Sequence, residues 1–250
     1  MSTKWEAFST TIEGVPAWIV FNREAVEELP KLDLPNLMKV QAEFVAGEDG
    51  LPLPAEEERL AALEEELETW VGAIDGRYVA QVTANGLRTM FFYVACGREE
   101  AENLVRRIAL RQDVELGFEM EADPGNRVFF DLLLPTKDER RRMRDLAAIA
   151  ALEAEGDHLH VTRPVEHTAR FTNRHQAIAF ANWARKNRFI VDGILSPSKE
   201  EPWFVLQFHR VMPLLPEEID ADTAAITHMA EQLGGSYDGW STRPVLAKAV

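Results

Sequence analysis

A single cysteine, Cys96, is the entire thiol content of this chain of 250 residues. One thiol cannot form an internal disulfide, and it cannot build a zinc site from cysteines. No apolar run approaches the length of about 20 residues that a membrane-spanning helix needs. The N-terminal sequence MSTKWEAF has neither the basic region nor the apolar stretch of a signal peptide. We therefore expect a cytoplasmic protein that does not associate with membranes.

Basic residues are scarce and unevenly distributed. The chain has 27 Lys and Arg against 42 Asp and Glu, a formal net charge of −15. Residues 160–250 contain 10 of each sign, so residues 1–159, with 17 basic and 32 acidic residues, hold the whole excess. Such a surface repels phosphate backbones and attracts basic proteins. We expect no direct nucleic-acid binding and a protein partner with a basic surface, although general solubility explains the same charge.

The sequence also lacks the short motifs of common catalytic sites. No glycine-rich phosphate loop follows a predicted strand, and there is no G-x-S-x-G motif. Cys96 has no neighbour in sequence that would act as its base. The glutamates at 56–58 and 64–66 adjoin one another on one helix, whereas catalytic carboxylates stand opposed. We expect a protein that is not an enzyme and has no catalytic residues.

The histidines give no pattern typical of a metal site. His158 and His160 lie in a predicted linker, and no third ligand follows at a fixed spacing. His167 and His209 fall on predicted strands among apolar residues, where a core hydrogen bond explains them. We expect no bound metal and no cofactor.

Residues 37–121 show strand and helix periods in the order β-α-β-β-α-β. Alternating apolar positions predict the strands, and an i, i+3, i+7 repeat predicts the helices. Asn85-Gly86 is typical of a two-residue hairpin turn. An extra strand and a short helix that ends at Pro30 precede this core. The predicted strands are 38–44, 77–84, 87–95 and 114–121, and the predicted helices are 55–72 and 98–110.

The segment after residue 121 is expected to lead out of this first domain. The turn Pro124-Gly125-Asn126 is followed by an apolar run, which predicts a last strand at 128–134. A helix is predicted at 136–155, and Thr136 and Glu139 form the capping box at its start. We expect this helix to connect two domains.

Residues 165–246 repeat the order β-α-β-β-α-β. The sequence therefore predicts an α+β fold with tandem ferredoxin-like (split βαβ) domains, each an antiparallel sheet with its helices on one face. We expect an acidic domain at 1–135, a connecting helix and linker at 136–160, and a second domain at 161–250. In each domain the helices leave one sheet face bare, and we expect these faces to pack on each other, on the extra strands or on a partner.

Two other functional classes remain open from these patterns. RNA-recognition domains share the β-α-β-β-α-β order and stack bases on aromatic residues of their middle strands. A small-molecule or enzymatic site in a cleft between the two domains is the other alternative. The candidate aromatic residues are Phe91, Phe92 and Tyr93 in the first repeat and Trp203, Phe204 and Phe208 in the second.

The most distinctive string in the chain is GSYDGWST at 235–242. Asp238-Gly239 suits a tight turn, because glycine tolerates positive φ and aspartate bonds nearby backbone. Tyr237 and Trp240 would flank this turn ahead of a closing strand at 240–246. Tyrosine and tryptophan are common anchors of protein interfaces, so these four residues are predicted to bind a protein partner. A purely structural anchor is the alternative.

A G-x-Y-D-G-W string after the last helix of a split βαβ domain resembles the RraB family, regulators of ribonuclease E activity. The resemblance covers about the last 90 residues and implies a non-catalytic inhibitor that binds an RNA-degrading endonuclease. The tail RPVLAKAV at 243–250 has no acidic residue and the domain carries no net charge, whereas an acidic tail is typical of that family. The acidic first domain would then have to supply the attraction for a basic partner.

The first half resembles a domain family of unknown function that is sometimes fused to RraB-like domains. The features that carry this resemblance are DGLP at 49–52, the spacing Thr83-x-x-Gly86-x-Arg88 and the aromatic hairpin that contains Phe91, Phe92 and Tyr93. It implies no mechanism. The sequence as a whole therefore predicts a regulatory binding protein, and it leaves the oligomeric state open.

Overall fold

The computed structural model describes residues 4–48, 50–199 and 201–246. Contacts divide the chain into two compact units, Met1–Glu139 and Arg140–Val250, called unit 1 and unit 2 below. Each contains one antiparallel sheet with helices, which confirms the predicted α+β class. In the described parts, no helix combines the length and the apolar character needed to cross a membrane.

Unit 1 contains a six-stranded sheet in the order β1-β2-β4-β5-β3-β6. Read from the β6 edge, the last four strands have the order β6-β3-β5-β4. These are the fourth, first, third and second of the four strands in the chain, which is the arrangement of a split βαβ unit. Its strands are β1 (Trp5–Ile12), β2 (Val15–Asn22), β3 (Asn36–Glu43), β4 (Arg77–Ala84), β5 (Leu87–Val94) and β6 (Gly117–Ala122). Its helices are α1 (Ala25–Glu28), a 3-10 turn (Leu29–Lys31), α2 (Pro54–Gly72) and α3 (Arg98–Gln112).

Local sequence accounts for the two clearest features of unit 1. Asn85 and Gly86 both have positive φ, 49° and 75°, as the predicted two-residue turn between β4 and β5 requires. The long helices bury their predicted apolar stripes in one core with the same face of the sheet. Those stripes are Leu60, Leu63, Leu67 and Val71 of α2, and Ala101, Leu104, Val105 and Ile108 of α3.

The predicted strand at 128–134 is wrong, because Val128–Leu133 form a π-helical turn. The Asp123 carboxylate accepts hydrogen bonds from the backbone N–H groups of Arg127 and Val128, at 2.9 Å each. It also accepts a bond from the Tyr93 hydroxyl at 2.6 Å. These hydrogen bonds stabilise the first residues of the helical turn, directly after the predicted turn at residues 124–126. An apolar run alone does not distinguish a strand from a buried helical turn.

This turn covers part of the sheet face opposite α2 and α3. Tyr93 alternates with Phe92 and Val94, which face the helices, so its ring points to the opposite side. The backbone N–H of Phe129 donates to the Tyr93 hydroxyl at 3.3 Å, and Phe129 is fully buried. The face that the helices leave bare is therefore partly covered in unit 1 by the segment after residue 121, which forms a helical turn and not the extra strand that was expected there.

Unit 2 contains a four-stranded sheet in the order β10-β7-β9-β8, again fourth-first-third-second. Helices α5 and α6 pack on one face, in a core with Ala169 and Phe171 of β7 and Leu206 and Phe208 of β9. The elements are α4 (Lys137–Ala154), β7 (Arg163–Phe171), α5 (Arg174–Lys186), β8 (Ile190–Leu195), β9 (Phe204–Met212), α6 (Pro216–Gln232) and β10 (Gly235–Thr242).

Helix α4 begins at the predicted capping box. The N–H of Thr136 donates to the Glu139 carboxylate at 2.7 Å, and the N–H of Glu139 donates to Oγ1 of Thr136 at 3.3 Å. The units divide at Glu139, so nearly all of this helix, predicted as a connector, lies in unit 2. Ile149 joins a small core with Val165 and Ile219, which packs α4 on the helical side of the sheet.

Candidate protein-binding site

Strand β10 contains all four residues of the predicted binding turn. It pairs with β7 from Gly235 to Thr242, with a β-bulge between Tyr237 and Gly239. Asp238 is the extra residue of the bulge, and Gly239 has φ of 122°. The predicted turn at Asp238-Gly239 is therefore wrong, and the predicted closing strand exists but spans Gly235–Thr242 instead of 240–246. A dipeptide that suits a tight turn also suits a bulge, for the same reason of backbone freedom.

The bulge places both large rings of the string on the helical side of the sheet. Residues three apart in a regular strand lie on opposite faces. Here Tyr237 pairs with Ala169 and Trp240 with His167, both buried positions of β7. Both rings are half-buried. Tyr237 and Trp240 therefore point into unit 2 and do not flank an exposed turn.

Tyr237 is tied to a buried histidine. Its hydroxyl lies 2.8 Å from Nδ1 of His167, and the His167 ring stacks on Phe208 with its centroid 5.3 Å away. Burial, and after it the nearby charge of Arg210, lower the pKa of His167 to about 3. Burial also raises the pKa of the Tyr237 phenol. Two neutral rings thus share one hydrogen bond, which confirms the structural interpretation of His167.

Trp240 is tied to helix α4. Its indole Nε1 donates to Oδ1 of Asp145 at 2.9 Å, and the second oxygen of Asp145 accepts a bond from the Thr223 hydroxyl at 2.7 Å. Arg141, one turn before Asp145, lies 3.3 Å from the same carboxylate and 2.9 Å from that of Asp220. This buried network joins β10, α4 and α6, and it holds the strand from the helical side.

Asp238 points to the opposite face. Its carboxylate lies 2.7 Å from Nε of Arg170 on β7, and that Nε lies 3.4 Å from Glu201. Burial raises the pKa of the Asp238 carboxyl, Arg170 opposes this rise, and Glu201 adds to it. Of the four predicted residues, Asp238 and Gly239 therefore contribute to the face away from the helices.

The strand at the other edge of the sheet, β8, has the same arrangement of a bulge and an aspartate. β8 has a bulge between Val191 and Gly193, so Asp192 is its extra residue. The Asp192 carboxylate lies 2.9 Å from Nδ1 of His209 on β9, as Asp238 lies beside Arg170. Each edge of the sheet thus presents an aspartate whose carboxylate lies beside a basic side chain of the neighbouring strand. Bulges with charged residues also protect sheet edges from unwanted strand pairing.

We call the sheet surface opposite α5 and α6 the open face of unit 2. It combines exposed apolar side chains with polar and mostly acidic groups. Ile190 pairs with His209 and Leu195 pairs with Val205, which places Ile190 and Leu195 on this face. Both side chains are 54% exposed. The open face comprises Pro164, Glu166, Thr168, Arg170, Ile190, Asp192, Gly193, Leu195, Glu201, Val205, Gln207, His209, Val211, Ser236, Asp238, Gly239 and Ser241.

The aromatic residues that would stack RNA bases are mostly in the cores. Phe92 and Tyr93 in unit 1 and Phe208 in unit 2 are completely buried, and Phe91 is 8% exposed. Trp203, 38% exposed, lies just before β9. Bases need an accessible ring for stacking. The aromatic residues therefore give the RNA-recognition alternative little support.

The charge asymmetry follows the boundary between the units. Unit 1 contains 13 basic and 28 acidic residues, a net charge of −15, and unit 2 contains 14 of each. Several glutamates of α2, including Glu58, Glu65 and Glu68, are exposed. The long-range field of the protein is therefore strongly negative around unit 1, where it would attract a basic partner.

The Thr83 and Arg88 pair noted in the sequence forms a buried polar cluster in unit 1. The guanidinium of Arg88, 5% exposed, donates to Thr83 Oγ1 at 3.0 Å and lies 2.8 Å from both Glu57 and Glu64. Burial raises the pKa of Glu64, and Arg88 opposes that rise. The cluster fastens α2 to β5. Asp49, part of the other motif, lies outside the described residues, as do residues 247–250 of the tail.

The described residues include few side chains that are placed to take part in catalysis. Burial raises the pKa of the half-buried Cys96 thiol, and Glu100 raises it further, so a reactive thiolate is disfavoured. His158 and His160 are exposed. No group of three potential metal ligands occurs among residues 4–48, 50–199 and 201–246.

Sequence reasoning missed the residues that hold β10 in place. Arg141 and Asp145 are spaced as an i, i+4 pair, which is a visible signal, but their partner Thr223 is 82 residues from Arg141. The pairing of Asp238 with Arg170 is also non-local.

Comparison with known proteins divides the chain into two parts near the boundary between unit 1 and unit 2. Residues 3–134 match the model of a family described as "Family of unknown function (DUF695)", and residues 143–242 match that of "Regulator of ribonuclease activity B", RraB. No curated protein matches. One solved structure, described as an unknown protein from Galdieria sulphuraria, is 7% identical and covers 84% of this chain and 98% of its own, at a TM-score of 0.23, which supports no argument.

Proposed function

Because the chain belongs to the DUF695 family over more than half its length, and its second unit is similar to Regulator of ribonuclease activity B, we propose that it is a non-catalytic regulator of RNA turnover. It binds an RNA-degrading endonuclease of the ribonuclease E type in the cytoplasm and inhibits it by protein contact. Neither RNA nor a cofactor takes part in this binding.

The open face of unit 2 is the proposed contact surface. The observation that carries this assignment is the pair of edge bulges, which bring Asp192 and Asp238 beside Glu166 and Glu201 on one exposed sheet surface. Exposed apolar residues share this surface, and two of them, Ile190 and Leu195, flank Asp192 along β8. An apolar surface with fixed carboxylates fits a partner segment that alternates apolar and basic residues.

Unit 1 contributes a long-range electrostatic attraction for the basic partner. Its net charge of −15 raises the rate of encounter with a basic partner, and this effect falls as salt screens the field. Tyr237 and Trp240 act indirectly in this proposal. They hold β10 so that Asp238 and Gly239 keep their positions on the open face.

Binding of the full chain to a purified endonuclease of this type, measured by calorimetry, tests the contact surface. Asp192→Lys and Asp238→Lys reverse the charges of the open face. Each should weaken binding by about tenfold or more, because close charge pairs at interfaces are worth about 1.5 kcal/mol or more. Glu153→Lys makes the same charge change on an exposed site of α4 and should leave the affinity within about twofold.

Thermal unfolding of each variant shows whether the fold is kept. Equal affinities for the two open-face variants and the Glu153 control would remove the open face from the proposal. No binding by the unaltered chain at low salt would remove the proposed partner.

A further inference from the structure

The helical side of unit 1 has an exposed apolar patch that the proposed function does not use. Leu110 of α3 is 79% exposed, and Trp70 near the end of α2 is 38% exposed. Arg107 lies one helical turn before Leu110, with its guanidinium 6.0 Å from the centroid of the Trp70 ring. The three side chains therefore form a continuous strip across the two helices.

Charges on this strip are balanced. Arg111 lies 3.3 Å from the Glu66 carboxylate, whose side chain is only 13% exposed, and Glu65 lines the same shallow groove of about 450 Å³. Glu65, Glu66, Trp70, Arg107, Leu110 and Arg111 make up what we call the α2–α3 patch. It holds two arginines and two glutamates, so its formal charge is zero on a unit whose net charge is −15.

The composition of the patch is that of a protein interface. Tryptophan and arginine are the residues most often found at the energetic centre of interfaces, and the exposed Leu110 adds apolar area. A patch with equal numbers of both charges is also complementary to itself. In a two-fold symmetric contact, the arginines of one copy meet the glutamates of the other.

The net charge of unit 1 restricts which kind of molecule can bind to the α2–α3 patch. Nucleic acids and acidic proteins are repelled by a surrounding charge of −15. A basic protein finds stronger sites on the exposed glutamates outside the patch. Two copies of unit 1 repel each other over most of their surface, and this balanced patch is a place where that repulsion is absent. We propose that the protein self-associates through the α2–α3 patch, with Leu110 and Trp70 at the centre of a two-fold contact.

Sedimentation equilibrium of the full chain over a wide concentration range tests this inference. The unaltered protein should show a monomer–dimer equilibrium. Leu110→Glu should raise the dimer dissociation constant by at least about tenfold, since it buries an unpaired charge at the centre of the contact. Leu132→Glu alters another exposed leucine of unit 1, 68% exposed, and should leave the equilibrium unchanged.

Salt gives a second and independent readout. Added salt should strengthen self-association, because it screens the net repulsion between two acidic units, whereas it should weaken binding of a basic endonuclease. The two proposals can therefore fail separately. A chain that stays monomeric at all concentrations and salt levels, or a dimer that Leu110→Glu and Leu132→Glu affect equally, would overturn the inference.

Discussion

The indole nitrogen of Trp240 donates a hydrogen bond to Oδ1 of Asp145, 2.9 Å away and 95 residues earlier in the chain. This bond places the tryptophan of the distinctive GSYDGWST string inside unit 2. Asp145 is 8% exposed, so a carboxylate oxygen that loses its donor there is left without a substitute from solvent.

Trp240→Phe should lower the free energy of unfolding by about 1–3 kcal/mol, because it keeps most of the apolar ring but removes the donor to Asp145. Trp203→Phe is the matched control, since Trp203 is 38% exposed, and it should change stability by less than about 0.5 kcal/mol. Chemical denaturation followed by circular dichroism measures both. Equal stability of the two variants would contradict the structural role of Trp240.

His167 should make the protein sensitive to acid. Its pKa is about 3 in the folded chain against an ordinary value of 6.5, so the unfolded chain binds the proton more readily between these values. The free energy of unfolding should therefore fall as the pH drops below 6.5, by up to about 1.4 kcal/mol per pH unit from this group.

His167→Gln removes the titrating group and keeps a polar partner for Tyr237. Its deficit in stability relative to the unaltered protein should shrink as the pH falls from neutrality, in denaturation curves measured at several pH values. His175→Gln at an exposed site of α5 is the control and should leave the acid dependence unchanged. Parallel stability curves for His167→Gln and the unaltered protein would show that His167 does not cause the acid sensitivity.

Phe129 should be essential to the π-helical turn that covers the sheet of unit 1. It is completely buried, so Phe129→Ala should cost about 3–5 kcal/mol, the usual range for such a truncation. Leu132→Ala in the same turn removes a side chain that is 68% exposed and should cost less than about 0.5 kcal/mol. Denaturation of both variants measures the difference. A small effect of Phe129→Ala would mean that the turn is not packed on the sheet as described.

The repeated β-α-β-β-α-β order could be predicted because it depends on local patterns. Alternation marks β3 and β7, a helical repeat marks α2 and α3, and Asn85-Gly86 fixes one hairpin. The α+β class follows from that order. The charge asymmetry is likewise a property of composition, and it coincides with the boundary between the units.

The misassigned segments depend on contacts that composition does not record. Asp238-Gly239 fits a turn and a bulge equally well, and only pairing with β7 selects the bulge. Val128–Leu133 has the composition of a strand, but bonds to Asp123 wind it into a helix. The placement of Tyr237 and Trp240 on the helical side follows from this bulge, which the dipeptide alone does not distinguish from a turn.

The most direct measurement is the rate of RNA cleavage by a purified ribonuclease E type endonuclease with increasing amounts of the full chain. We predict saturable inhibition that weakens as salt rises, with no RNA cleavage by the chain alone. Asp238→Lys should shift the inhibition curve to higher concentration, and Glu153→Lys should not. An unchanged cleavage rate at saturating amounts of the chain and low salt would contradict the account.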